Sequence, residues 1–336
     1  MSSRSKLLVQ TSPFLRQGVS TPALMGDVVI SLVPVLAAAI WFFGISAILV
    51  VGTATGAAVL TEWALGGKPR GLTLRDGSAA VTGLLLGLTL PPGFPLWMAF
   101  LGGVAGMFLG KYIWGGLGHN LFNPALVGRA FLQAAFPTAI TTWNPPVDPW
   151  SIRAGNLALP FMQVHADVVT TATPLNLQKF DHVGTAVGKL FLGNVAGSLG
   201  ETCAFLILLA GVWMLLRRTF DWRIPAGVLL TVAVFSGILH LIDPEGFPSP
   251  LFMLFSGGLL FGAIYMATDP VSSPTAPRGA WIFGIGIGAL VVLIRVWGGL
   301  PEGVMYAILL MNAVVPLIER VTQPRVFGRL RSGEVR

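Results

Sequence analysis

The sequence predicts an all-α polytopic membrane protein of about ten transmembrane helices. Three observations carry that prediction. The 336 residues are 54% hydrophobic and only 10% charged, with a mean hydropathy of +0.77, whereas soluble domains run near 25% charged. The apolar residues gather into runs approaching the ~20 residues a spanning helix needs. The 42 glycines suit helices packed closely in lipid, where small residues let backbones approach.

The predicted spans lie near 27–43, 45–65, 78–91, 95–113, 120–137, 189–216, 224–241, 251–267, 280–297 and 303–319. The third is short, ends in Pro91-Pro92 and reads as a broken or partial span. The first 25 residues are polar and basic, with no signal-peptide pattern. Basic residues set orientation. With the N-terminus cytoplasmic, most Lys and Arg fall inside, Lys111 among them, and only Arg153, Lys179, Lys189 and Arg295 fall outside. Both termini are therefore expected in the cytoplasm. This divides the chain into a cytoplasmic N-terminal segment (1–26), a first repeat (27–137), an extracytoplasmic loop (138–188), a second repeat (189–319) and a cytoplasmic tail (320–336).

The chain also looks doubled. Gly83-Leu84-Leu85-Leu86-Gly87 precedes Pro91-Pro92, as Gly258-Leu259-Leu260-Phe261-Gly262 precedes Asp269-Pro270. Gly115-Gly116-Leu117 is echoed by Gly298-Gly299-Leu300. Five spans per half would make the halves inverted repeats, an arrangement that places ligand sites at the repeat interface.

Composition narrows the chemistry. The single Cys203 excludes an internal disulfide. It also excludes a thiolate-held iron–sulfur cluster built by this chain alone, which takes about four Cys. The four His show no metal-ligand spacing, and the net charge of +7 reads as membrane topology rather than nucleic-acid binding.

Three motifs remain. Gly118-His119-Asn120-Leu121-Phe122-Asn123-Pro124 leads through Arg129 to Phe131. Asn120 and Asn123, one helical step apart, could face one ligand, and a heteroaromatic ring would satisfy both amides; equally, Asn123-Pro124 is an ordinary helix start. Thr268-Asp269-Pro270 ends an apolar run. It suggests either a broken helix whose carboxylate accepts from a ligand, or a plain turn. Asp167 to Leu175 holds Thr170, Thr171 and Thr173 in the longest polar stretch; it suits either esterification or a solvated turn. Glu201, read within a span, and Arg129 are candidates for an ion path, or for one another. Capping or interface placement accounts for Glu62 and Asp27.

These motifs, with Asp76-Gly77-Ser78 through Thr89-Leu90-Pro91-Pro92 and Ala267 to Pro274, resemble the flavin-carrying membrane component shared by two respiratory complexes. In the Rnf complex this component is the D subunit; in the sodium-pumping NADH:quinone oxidoreductase it is the B subunit. The resemblance implies FMN joined through its phosphate to Thr173, the last position of Thr170-Thr171-Ala172-Thr173; Thr171 stands where the usual motif has Gly. It also implies a second, non-covalent flavin such as riboflavin between the halves, for which Asn120, Asn123 and Asp269 are candidates. The short segment before the first span favours the Rnf type. That would place the chain in a bacterial inner membrane, coupling electron transfer between ferredoxin and NAD+ to movement of Na+ or H+. Its expected partners are other Rnf-type membrane subunits, a covalent-flavin extracytoplasmic subunit and iron–sulfur subunits. A solute channel of the same architecture would carry no covalent flavin.

Overall fold

The computed structural model describes residues 20–66, 73–146, 150, 152–160 and 171–323. Among them no strand occurs. Five helices are long and apolar enough to cross a membrane: α1 (Thr21–Phe43), α2 (Ile45–Leu65), α10 (Arg223–Ile242), α13 (Pro277–Trp297) and α14 (Val304–Thr322). The chain is an all-helical membrane protein on that composition.

The other predicted spans are shorter or interrupted. α3 (Ser78–Leu88) ends before Pro91, as its length suggested. α4 (Leu96–Met107) runs into a π-helical turn, Phe108–Tyr112. α5 (Pro124–Ala135) begins later than the predicted span, because Asn123 caps it and Pro124 occupies its first turn; α6 (Pro137–Ile140) follows. The short α7 (Pro174–Phe180) lies in the long connection. The predicted span 189–216 is not one helix. α8 (Val187–Leu192) stops at Gly193, whose φ of 100° is left-handed, and α9 (Ala204–Leu216) starts only after a run of turns. Glu201 therefore lies in that non-helical run, which corrects its expected place within a helix. The span 251–267 is also broken, into α11 (Pro250–Phe255), α12 (Leu259–Phe261) and a second π-helical turn, Gly262–Met266. The break falls at Ser256–Gly258, ahead of Asp269-Pro270, because Gly257 turns left-handed with φ of 63°.

The two halves share part of one packing order: α2 lies against α3 and α4, and α4 against α5; α10 lies against α11 and α13, and α13 against α14. In the first half α3 also meets α4 and α5. Glycines set the closeness of these pairs. A Cβ on Gly284 would stand 2.6 Å from the Ile224 carbonyl oxygen, and one on Gly106 would stand 2.8 Å from that of Pro124. Across the halves α1 meets α9. There Arg217 Nη2 reaches Asp27 Oδ1 at 3.2 Å, so Asp27 serves as an ion-pair partner between halves rather than as a cap.

Irregular backbone at membrane depth must find partners inside the protein, and here it does. Leu199 N donates to Leu90 O at 3.1 Å and Gly200 N to Leu88 O at 2.6 Å, joining two interrupted segments from different halves. Asn156 Nδ2 donates to Pro92 O and Phe94 O at 2.9 and 3.0 Å. At the break in the second half, Arg295 donates to Met253 O at 2.6 Å and Ser256 O at 3.0 Å, while Glu302 Oε1 accepts from Gly258 N at 2.6 Å.

Candidate functional site

The helix breaks open two clefts. The first, about 760 Å³ counted to its open mouth, is lined by both halves. α1 supplies Met25 and Val28, α3 supplies Val81 and Leu85, and the end of α9 leads into Thr219 and Phe220. Asn120, Asn123 and Asp269 all line it.

The two asparagines share the cleft for a different reason from the one expected. They are not one helical step apart, since residues 117–123 form turns and the helix begins at Pro124. Asn120 Nδ2 donates to Phe122 O at 3.2 Å, and its side chain is also a hydrogen-bond partner of Asp269. Ser272 Oγ donates to Asp269 Oδ2 at 2.8 Å. Asn123 caps and bridges at once. Its Oδ1 accepts from Ala125 N at 3.0 Å and Leu126 N at 3.4 Å, and its Nδ2 donates to Met266 O in the other half at 3.1 Å. The fully buried Asn312 completes the link. With its amide turned to the orientation that satisfies both ends, its nitrogen donates to Ile308 O and Ser272 O, and its oxygen accepts from Asn123 N at 3.2 Å. Sequence reasoning missed Asn312, although a lone amide in the apolar run of α14 is a readable signal.

The same wall holds an ion pair. Lys111 Nζ donates to both oxygens of Glu62 and to Ser78 Oγ. Glu62 is thus a buried partner, not a cap, and Lys111 is no flanking topological charge. The lining of the cleft is mostly apolar, with an amide, a carboxylate and a hydroxyl converging, and the buried Thr219 Oγ1 has no partner among the described residues.

The second cleft, about 500 Å³, contains Thr173 together with Glu201, Glu302, Trp143 and Phe255. Thr173 is the N-cap of α7: its Oγ1 accepts from Asn176 N at 3.3 Å and Pro174 follows in the first turn. It is half-buried and lines this cleft. Nearby, the Thr171 hydroxyl is buried with no partner among the described residues. Asp167 and Thr170 lie outside the described residues.

Below Thr173 sits the charge cluster. Arg129 Nη1 contacts Glu201 Oε1 at 3.4 Å and its Nη2 contacts Glu302 Oε2 at 3.3 Å. Arg129 and Glu201 are therefore partners, with Glu302 as a third member that the motifs did not single out. Its signal was present as a carboxylate in the tight turn between two apolar spans. Cys203 is buried and free. No group of three or more His, Cys, Asp or Glu among the described residues could hold a metal ion.

The fold is that of a helical membrane protein with several apolar spans, and the described residues include two clefts beside its helix breaks. The chain belongs to the NQR2, RnfD, RnfE family, whose model matches residues 8–328. It is 42% identical over 335 residues to the D subunit of the ion-translocating oxidoreductase complex of Stutzerimonas stutzeri, covering 94% of each chain. It is 39% identical over 340 residues to the D subunit of the proton-translocating ferredoxin:NAD(+) oxidoreductase complex of Clostridium ljungdahlii, covering 96% of each. The D subunit of the ion-translocating oxidoreductase complex of Yersinia enterocolitica is 39% identical over 346 residues, covering 96% of this chain and 99% of its own.

Proposed function

We propose that this chain is the membrane flavoprotein subunit of an Rnf-type complex. In this reading it passes electrons between partner redox subunits through FMN held covalently on Thr173 and a second, non-covalent flavin in the first cleft. The transfer is coupled to Na+ or H+ translocation between reduced ferredoxin and NAD+. The relatives' names support the complex. The observation that carries the site is Thr173 at a walled cleft shared with Glu201 and Glu302. A threonine ester there tethers a ring without altering its electronics, and the flavin supplies reversible electron acceptance.

The protein's own groups do the rest. Trp143 and Phe255 give the Thr173 cleft aromatic walls, while Arg129 bridges the two carboxylates beside it. In the first cleft Asp269 and Asn120 Oδ1 can accept from ring N–H groups, and the Thr219 hydroxyl can donate to a ring carbonyl. We read the two halves as inverted five-helix repeats, supported by the part of their packing order that they share. We also read both termini as cytoplasmic, with 138–188 outside. The setting is a bacterial inner membrane, beside other membrane, covalent-flavin and iron–sulfur subunits.

The test is intact mass and in-gel flavin fluorescence of the denatured chain, made in a host that attaches flavin. An FMN-sized addition on the peptide containing Thr173, lost in Thr173→Ala while the protein still inserts, is the expected result. An unmodified wild-type chain would turn the reading toward a non-redox channel.

A further inference from the structure

The first cleft has a cation in its wall whose counter-ion stands behind it. Lys111 Nζ lies 2.8 Å and 2.9 Å from the Glu62 oxygens and 2.7 Å from Ser78 Oγ. The two charged side chains are 3% and 1% exposed. Lys111 and Ser78 line the cleft, whereas Glu62 is not among the lining residues. The pair is therefore a buried dipole with its positive end toward the ligand space. The ammonium has three N–H donors, and Glu62 and Ser78 use all three. It acts on the cleft by charge and not by hydrogen bonding.

The backbone is shaped for this placement. Lys111 sits in the π-helical turn Phe108–Tyr112 that ends α4, and such turns recur at functional sites. The other π-helical turn, Gly262–Met266, brings Tyr265 to the same cleft. A purely structural ion pair gains little over apolar packing of the same volume, and its stability would not depend on which end faced a cavity. A fixed charge in a low-dielectric wall, by contrast, acts strongly on whatever lies beside it.

We propose that Lys111 is a redox-tuning residue. It makes the cleft hold a flavin-class ring more tightly when the ring carries added electrons than when it is oxidised, and Glu62 sets how much of that field reaches the ring. This rests on the reading that the cleft takes such a ring. Electrons come from a redox centre of one partner subunit and leave to another. No bond to Lys111 forms or breaks, and its proton stays on Nζ. The same charge repels Na+, so a cation route along this wall is disfavoured.

The experiment is a potentiometric titration of the acid-extractable flavin in the assembled complex. A Thr173→Ala background leaves this ring as the chain's own flavin signal. Lys111→Met should lower the midpoint potential, Glu62→Gln should raise it, and Lys111→Arg should leave it near the parent value. A tenfold change in the ratio of reduced to oxidised affinity reads as a shift of about 30 mV for a two-electron couple. If Lys111→Met alone does not accumulate, Lys111→Met/Glu62→Leu removes both charges together, and a lowered potential is again expected. Unchanged potentials, or shifts of the same sign for Lys111→Met and Glu62→Gln, overturn the proposal. Absence of extractable flavin from the chain in the parent complex overturns the underlying reading instead, and is told apart by flavin content before any titration.

Discussion

Replacing Asn123 with Ala should cost about 2 kcal/mol, as the sum of a lost cap and a lost bridge. The side-chain oxygen caps α5 by accepting from Ala125 N and Leu126 N, and loss of such a cap costs about 1 kcal/mol. The amide nitrogen donates to Met266 O across the halves. A side-chain hydrogen bond within a membrane protein contributes about 0.6 kcal/mol on average, and a carbonyl left buried without its donor costs about 1 kcal/mol or more. The two losses are separable. Asn123→Ser keeps a capping oxygen but cannot reach across, so it should lose roughly half as much as Asn123→Ala. Thermal unfolding of the detergent-solubilised chain would read this as a fall of about 3 °C for Ala, by the ~1.4 °C per kcal/mol that an unfolding entropy of ~2.1 cal/mol/K per residue gives for 336 residues, and about half that for Ser. Equal effects of Ser and Ala would refute the division into cap and bridge. A wild-type melting temperature for Asn123→Ala would refute both.

Arg129→Met should destabilise the chain more than Glu201→Gln. The first takes from the buried Glu201 its ion-pair partner while Arg295 stays nearby, a loss of about 3 kcal/mol, and the second leaves Arg129 paired with Glu302; the order of the two melting temperatures checks it. If Glu201 serves ion coupling, Glu201→Gln also lowers ion transport per electron in reconstituted vesicles, and an unchanged ratio would leave it a structural residue. Asn120→Leu should reduce acid-extractable flavin, because it removes a polar contact in the cleft and a partner of Asp269. Gly284→Leu should prevent α10 and α13 from closing, since even a Cβ there meets backbone at 2.6 Å; loss of monodisperse protein in gel filtration is the expected readout.

Much of this was legible in the sequence. The long spans α1, α2, α10, α13 and α14 follow from sustained apolar runs, and three motifs pointed to residues that line two clefts. What pattern could not show was pairing over distance. Lys111 looks like a flanking cation because its neighbours Tyr112 and Trp114 resemble a membrane boundary, and only folding places Glu62 against it. The run from Lys189 to Leu216 is apolar enough to suggest one helix through Glu201, yet Gly193 and the backbone bonds to Leu88 and Leu90 hold that stretch open. Asn120 and Asn123 were rightly grouped for the wrong geometric reason: a capped helix start, rather than a helical face, brings them together.

The cation pairs differ in the order in which their members are synthesised. Met253 and Ser256 precede Arg295 by 42 and 39 residues, and Glu62 precedes Lys111 by 49. Each of these cations emerges from the ribosome with its acceptors already made. Arg129 and Lys179 are the exceptions: Glu201 and Glu302 follow Arg129 by 72 and 173 residues, and the carbonyls of Ile294, Gly298 and Leu300 follow Lys179 by 115, 119 and 121. During biogenesis α5 is expected to wait, carrying an uncompensated charge, until Glu201 and Glu302 are translated. Ribosomes stalled before Glu201 should leave α5 extractable from the bilayer, whereas a chain extended past Glu302 should resist extraction.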